Sequence, residues 1–165
     1  MDCGTFCTSW ILSQHNYRFE ESDFIFSETF PGGSLLSKIW FLLLDFFDNV
    51  EIVHEYKDIF ISLDENELPL LNEYKHRLDE FENKWGIYSN ANITLEYLKE
   101  KLDNHYCIIP IKKWEWSHLV VLREIDDENV WLVDNKKWEF SVSKNEFEDL
   151  IDLYNWKYAL FVGNN

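Results

Sequence analysis

The stretch from residue 106 to residue 142 decides the fold of this chain. It holds four short runs rich in β-branched and aromatic residues, which are Tyr106–Ile111 (YCIIPI), His118–Leu122 (HLVVL), Val130–Val133 (VWLV) and Trp138–Val142 (WEFSV). Runs of this length and composition are typical of β-strands. The acidic segment Asp126–Asn129 predicts a hairpin turn between the second and third runs, and therefore an antiparallel sheet in the C-terminal third.

Helical patterns precede and follow this predicted sheet. Apolar side chains recur at spacings of three and four residues in the segments 4–14, 34–47, 67–85 and 95–102. Ser143 and Glu146 form a capping-box pattern, which predicts a helix from about residue 144 to residue 153. The apolar segments Val50–Val53 and Trp156–Val162 indicate a short strand and a last strand.

This order of elements predicts the fold class. Helices in the N-terminal two thirds, followed by antiparallel strands, are typical of an α+β protein. The 165 residues, 46% of them hydrophobic, suffice for one core, because a domain of about 150 residues buries roughly 70% of its unfolded surface. We therefore expect a single domain over residues 1–165, in which residues 19–93 form a helical, insertion-rich region.

The net charge limits the classes of partner. Lys and Arg number 15 and Asp and Glu number 31, so the net charge is −16; this charge repels phosphate backbones and predicts no nucleic-acid partner. No apolar run reaches the roughly 20 residues of a membrane-spanning helix, and the N-terminus has no basic, signal-like start. We expect a soluble, cytoplasmic protein with no membrane partner, while secretion as an effector stays open.

Three residues form a candidate catalytic set: Cys3, His118 and Asp134. Cys3 directly precedes the first predicted helix, and a helix N-terminus with a nearby imidazolium favours the thiolate, which is the nucleophilic form of cysteine. A histidine can activate such a thiol, and a carboxylate on its other ring nitrogen fixes the tautomer. A hairpin centred near residue 126 would place residues 118 and 134 directly opposite each other on neighbouring strands.

Each of these residues also has a purely structural interpretation. Free cysteine is often a small buried hydrophobe, and an aspartate after a strand is common in turns. The three cysteines, Cys3, Cys7 and Cys107, form neither a disulfide framework nor a CxxC metal pair, so no metal and no cofactor are predicted. Cys7 lies on the inner side of the predicted helix and is expected in the core.

Two tryptophans and four further histidines are the remaining side chains considered for a functional role. Trp114 and Trp116 lie just before His118 and are candidate substrate-binding residues that could wall a cleft. The remaining histidines stand among polar or acidic neighbours and are expected at the surface: His15, His54, His76 and His105.

The residues around the candidate set resemble a known family. Asp2–Tyr17 (DCGTFCTSWILSQHNY) is similar to the opening motif of the C39 peptidases and their C39-like relatives, in which an Asp-Cys-Gly stretch leads into a helix with a second cysteine four residues on. Ser117–Leu122, followed by Val130–Asn135, resembles the family's strand, hairpin and strand with its histidine and aspartate. Ser143–Phe147 and Lys157–Val162 are similar to the family's closing helix and strand.

The resemblance implies a papain-like fold without a cofactor, in which Cys3 is the nucleophile, His118 the base and Asp134 the orienting residue. The implied activity is acyl chemistry on an amide or thioester, as a cysteine peptidase, an amidase or an acyltransferase. Its substrate would be a peptide, or a small molecule or protein that carries an acyl group. Two alternatives are a glutamine deamidase effector, which uses the same chemistry, and a catalytically inactive C39-like module that only binds peptides.

The sequence departs from the family's pattern at two places. The family carries a Gln some residues before the cysteine that donates to the oxyanion, whereas only Met1 and Asp2 precede Cys3 here. The oxyanion would then be bound by backbone N–H groups at the start of the helix. Asn135 follows Asp134 where the family usually has Pro.

Overall fold

The structure, a computed structural model, describes residues 3–17, 43–55, 79, 82–84, 86–113, 116–151 and 157–163. The helices predicted at 34–47 and 67–85 fall largely outside the described residues and stay predictions. The other predicted helices and all the predicted strands lie within the described part or overlap it.

Three helices and seven strands make up the described part of the chain. The helices are α1 (Cys3–Gln14), α2 (Leu95–Leu102) and α3 (Lys144–Ile151). The strands are β1 (Val50–His54), β2 (Ile87–Asn90), β3 (His105–Lys113), β4 (Trp116–Ile125), β5 (Asn129–Asp134), β6 (Trp138–Ser143) and β7 (Tyr158–Gly163). No helix in these residues is long and apolar enough to cross a membrane.

All seven strands join one sheet in the order β2-β1-β7-β3-β4-β5-β6. β1 and β2 run parallel, and every other neighbouring pair is antiparallel. The α+β prediction is therefore confirmed. The region from residue 19 to residue 93, predicted to be helical, also contributes two strands, β1 and β2. β1 is the strand predicted at Val50–Val53, whereas β2 (IYSN) is too short and too polar to show a strand pattern.

Hydrophobic side chains pack on both faces of the sheet. On one face, the sheet packs against Cys7, Ile11 and Leu12 of α1, and we call this the α1-side core. The core on the other face contains Leu98 of α2 and Phe147 of α3. Strand β7 contributes apolar side chains to both cores, because alternate residues of a strand point to opposite faces of the sheet. The expectation that Cys7 lies in the core is confirmed, because its side chain is fully buried.

Local signals read from the sequence set the helix starts and the hairpin turn. The side chain of Thr94 accepts a hydrogen bond from the backbone N–H of Tyr97 at 3.1 Å, which caps α2. The backbone N–H of Glu146 donates to Ser143 Oγ at 3.3 Å at the start of α3. In the predicted turn, Asp126 Oδ1 accepts two backbone N–H groups, at 2.8 and 2.6 Å.

Candidate active site

His118 and Asp134 meet at one end of the sheet. His118 Nε2 lies 3.2 Å from Asp134 Oδ1, and the two side chains are 12% and 2% exposed. The backbone N–H of Lys136 donates to the same carboxylate oxygen at 2.8 Å and holds the carboxylate in place. The structure thus brings together two of the three residues of the candidate set, in the base-and-carboxylate arrangement that orients an imidazole ring.

The pair does not form in the register that the sequence predicted. The structure pairs Val121 with Val133, which places Asp134 diagonal to His118 rather than directly opposite it. The cause is the position of the turn: Ile125 pairs with Val130, so the hairpin is centred between residues 127 and 128 and not at residue 126. The irregularity between residues 122 and 124 removes only part of this displacement. Diagonal neighbours on one face of a sheet stay within reach of long side chains, so the contact survives the shift.

Cys3 is the first residue of α1 and is half-buried against the α1-side core. Phe6, one helical turn further, contacts the ring of Trp138 edge-on at 6.4 Å between ring centroids. Trp138 is the cross-strand partner of Asp134. The helix that carries the thiol therefore begins at the end of the sheet that holds the His118–Asp134 pair.

Strand alternation places the Cys3 thiol and the His118 imidazole on opposite faces of the sheet. His118 is paired with Ile111, a residue of the core that contains α2 and α3, whereas Leu119 belongs to the α1-side core against which Cys3 packs. An approach of Cys3 to His118 therefore runs past the ends of the strands and not across a face of the sheet.

Trp138 is a residue of this region that the sequence did not single out. Its side chain is 72% exposed, and its φ of 58° lies in the left-handed region that bulky residues rarely adopt. Only its place directly after a polar turn could have indicated it. A strained, exposed aromatic side chain beside a buried histidine and carboxylate is available for contact with a substrate.

The two tryptophans predicted to bind substrate cannot be placed beside the pair. Trp114 lies outside the described residues, and for Trp116 the structure describes only the backbone, which pairs with Lys113 in the hairpin of β3 and β4. Their role stays a prediction.

The expectation that His54 lies at the surface is wrong. His54 ends β1 and is 4% exposed, because β1 lies between β2 and β7 and is buried at all five positions. Its ring stacks on Tyr158, the cross-strand partner, with 5.7 Å between ring centroids and 30° between planes. Burial lowers the pKa of His54 to about 4, so the imidazole is neutral at neutral pH.

Two other histidines are also more enclosed than expected, while His76 lies outside the described residues. His15 is half-buried, with its ring edge-on to Phe47 and Tyr106 at 5.0 and 5.5 Å. His105 is half-buried as well, with Nε2 at 3.2 Å from the side-chain amide of Asn49. The prediction from polar sequence neighbours was wrong because residues that are distant in the sequence pack against these rings.

Replacing His54 by Phe is expected to reduce the acid sensitivity of the fold. The ordinary pKa of 6.5 applies to the unfolded state and about 4 to the folded state. The unfolded state therefore takes up the proton first, and stability is lost as the pH falls from about 7 towards 4. Urea unfolding should find that the wild type loses about 2 kcal/mol more than His54→Phe between about pH 7 and pH 5. Equal losses in the two proteins would contradict a neutral, buried His54.

No cluster of three or more His, Cys, Asp or Glu side chains in the described part of the chain is arranged to hold a metal ion. Cys107 is fully buried in the sheet, and burial raises the pKa of its thiol. Among the three cysteines, Cys3 alone has some exposed surface.

Comparison with known proteins supplies no relative. No family model, no curated protein and no solved structure matches the chain. The interpretation of the site therefore depends on its own geometry and on the motifs quoted above.

Proposed function

We propose that the protein is a C39-like thiol enzyme of papain-like fold, in which Cys3 takes an acyl group from an amide or a thioester. The observation that carries the proposal is the buried contact between His118 and Asp134 at the end of the sheet where α1 begins. A cysteine at a helix start, with a histidine oriented by a buried carboxylate at the same end of the molecule, has the parts that thiol acyl transfer needs.

The chemistry proceeds in two halves. His118 takes the proton of the Cys3 thiol, Sγ bonds to the carbonyl carbon, and the carbonyl π electrons move to the oxygen. The oxyanion is stabilised by backbone N–H groups at the start of α1. When the C=O bond re-forms, the leaving amine or thiol takes the proton from His118 and departs, which leaves a thioester on Cys3. Asp134 stabilises the charged imidazolium throughout.

The second half depends on what attacks the thioester. Water makes the protein a peptidase or amidase, or a deamidase if the amide is a glutamine side chain, whereas an amine makes it an acyltransferase. The net charge of −16 favours neutral or cationic substrates in each case. Trp138, exposed beside Asp134, offers an apolar contact for them.

Iodoacetamide tests the proposal without knowledge of the substrate. Exposure alone predicts that Cys3 is labelled before Cys7 and Cys107, so the informative quantity is the pH dependence of the Cys3 rate. We expect the wild-type rate to vary less than about threefold between about pH 6 and pH 8, because the imidazole keeps the sulfur as thiolate. In His118→Ala the rate should rise about tenfold per pH unit towards the free-thiol pKa of about 8.5. Peptide mass spectrometry of quenched samples gives the rate at each cysteine.

The control for this experiment is His15→Ala, which removes a half-buried imidazole at the far end of α1. Its pH profile should match that of the wild type. A wild-type profile identical to that of His118→Ala would contradict the enzyme proposal and would favour the peptide-binding module.

A further inference from the structure

Tyr158 lies on the same face of the sheet as the thiol. It begins β7, in which Leu160 and Val162 belong to the α1-side core. Because strand residues two apart point to one face, Tyr158 shares that face. Cys3 packs against the same core, so the phenol and the thiol lie on one side of the sheet.

Tyr158 also lies at the right end of the sheet. Further along α1, Trp10 contacts Tyr106 edge-on at 6.1 Å, whereas the start of α1 contacts Trp138 through Phe6. Tyr106 is paired with Val162, four residues along β7 from Tyr158, so the first turn of α1 lies towards the Tyr158 end.

Two properties make the Tyr158 hydroxyl a fixed donor. The ring is held by its stack on the neutral imidazole of His54. Burial raises the pKa of Tyr158 to about 12, and nearby Cys3 adds to the shift. The hydroxyl is therefore protonated at neutral pH, and it can donate a hydrogen bond where negative charge develops.

We propose that Tyr158 is a catalytic residue that donates a hydrogen bond to the oxyanion formed when Cys3 attacks a carbonyl group. This inference rests on the proposed function. The Sγ–C bond forms, the carbonyl π pair moves to the oxygen, and Tyr158 Oη–H stabilises that oxygen beside the N–H groups of α1. The phenol keeps its proton, and collapse of the intermediate restores the C=O bond and expels the leaving group.

The test compares two reactions of the same sulfur. Iodoacetamide alkylation displaces iodide from a saturated carbon and forms no oxyanion, whereas acetyl transfer from phenyl thioacetate passes through one. Tyr158→Phe is expected to slow acetylation of Cys3 by the order of 10²-fold, since one oxyanion donor is worth about that much. Its alkylation rate should stay within about twofold of the wild type, because the thiolate and the imidazole are unchanged. Intact-mass time courses at the same pH give both rates.

Tyr106→Phe is the matched control. Tyr106 is half-buried on the same face of the sheet and packs against the same core, but it lies at the other end of α1. Both of its rates should equal those of the wild type. Tyr158→Met is a second donor-free variant for use if Tyr158→Phe does not fold, since a flexible apolar side chain fills irregular gaps.

The outcomes separate this inference from the function on which it rests. A wild type that never acetylates Cys3 overturns the proposed function itself. A wild type that acetylates Cys3, with Tyr158→Phe equally fast, overturns the donor role alone. A variant in which alkylation and acetylation slow by the same factor also overturns it, because the tyrosine then supports only the local structure.

Discussion

The His118→Ala variant is expected to transfer an acetyl group from phenyl thioacetate to Cys3 about 10³-fold more slowly than the wild type near pH 7. The imidazole takes the thiol proton, whereas thiophenolate departs without one, and a positioned acid–base group contributes about 10²–10⁴-fold. The rate is measured as the growth of the acetyl adduct in intact-mass spectra. A Cys3→Ser variant should show no adduct at that position within the same time.

Asp134→Asn extends this test to the carboxylate. The amide oxygen can still accept from His118, because the ring nitrogen and the Lys136 N–H face the same oxygen of Asp134, but the amide carries no negative charge to stabilise the imidazolium, so we expect a slower rate than in the wild type. His15→Ala serves as the control and should acetylate within about twofold of the wild type. A His118→Ala variant that keeps more than about a third of the wild-type rate would exclude His118 as the base.

The Lys101→Met variant is expected to lose about 3 kcal/mol of folding stability, the largest stability change that we predict for a side chain outside the hydrophobic core. Glu51 lies on the buried strand β1, where its carboxylate binds Lys101 Nζ and accepts a hydrogen bond from Ser89 Oγ at 2.7 Å. The ammonium also lies 5.3 Å from the ring centroid of Phe161, so the pair ties α2 to the sheet. Burial alone would lower the pKa of Lys101, but the hydrogen bond and charge of Glu51 outweigh it and raise the pKa.

The reason for this loss is an uncompensated buried charge. The side chains of Lys101 and Glu51 are 25% and 12% exposed, so removing the ammonium leaves a mostly buried carboxylate with Ser89 as its partner. We place the loss at the lower end of the range for broken buried pairs because Lys101 retains some contact with water. Urea unfolding monitored by tryptophan fluorescence measures the difference.

Two variants test whether the charge, and not the packing, causes the effect. Lys99→Met changes an exposed lysine of the same helix and should alter stability by less than about 0.5 kcal/mol. A double variant with Met at positions 51 and 101 should recover most of the loss, since a buried ion pair replaced by apolar residues is often neutral or stabilising. Failure of the double variant to recover would mean that the lysine acts through packing alone.

The elements with strong local signals were predictable from sequence. The β3, β4 and β5 strands are near-continuous apolar runs, and Thr94, Ser143 and Asp126 satisfy backbone groups within four residues of their own positions. Such signals act over one turn or one strand, so they survive in any tertiary context. The strand β2 has no such signal because its four residues form a strand only when the edge of β1 is present.

The candidate site was likewise only partly predictable from the sequence. The chemistry of Cys3, His118 and Asp134 suggested a catalytic set from residue types alone, and the structure brings His118 and Asp134 into contact. The register of that contact could not be predicted, because it depends on where the turn is centred and on an irregularity inside the hairpin, neither of which a residue pattern indicates. The contact between Tyr158 and His54 could not be predicted either, since the two paired residues lie 104 residues apart in the chain.

The sequence by itself determined the α+β class, the C-terminal strands, the helix starts and the residue types from which a thiol mechanism can be built. Those properties depend on composition and on spacing over a few residues, which the chain carries in any conformation. Only the tertiary structure decided that β1 pairs with β7, that His54 is buried and neutral, and which side chains share an end of the sheet with Cys3. These depend on contacts between distant segments, whose energies come from burial and desolvation and exist only after the chain has packed.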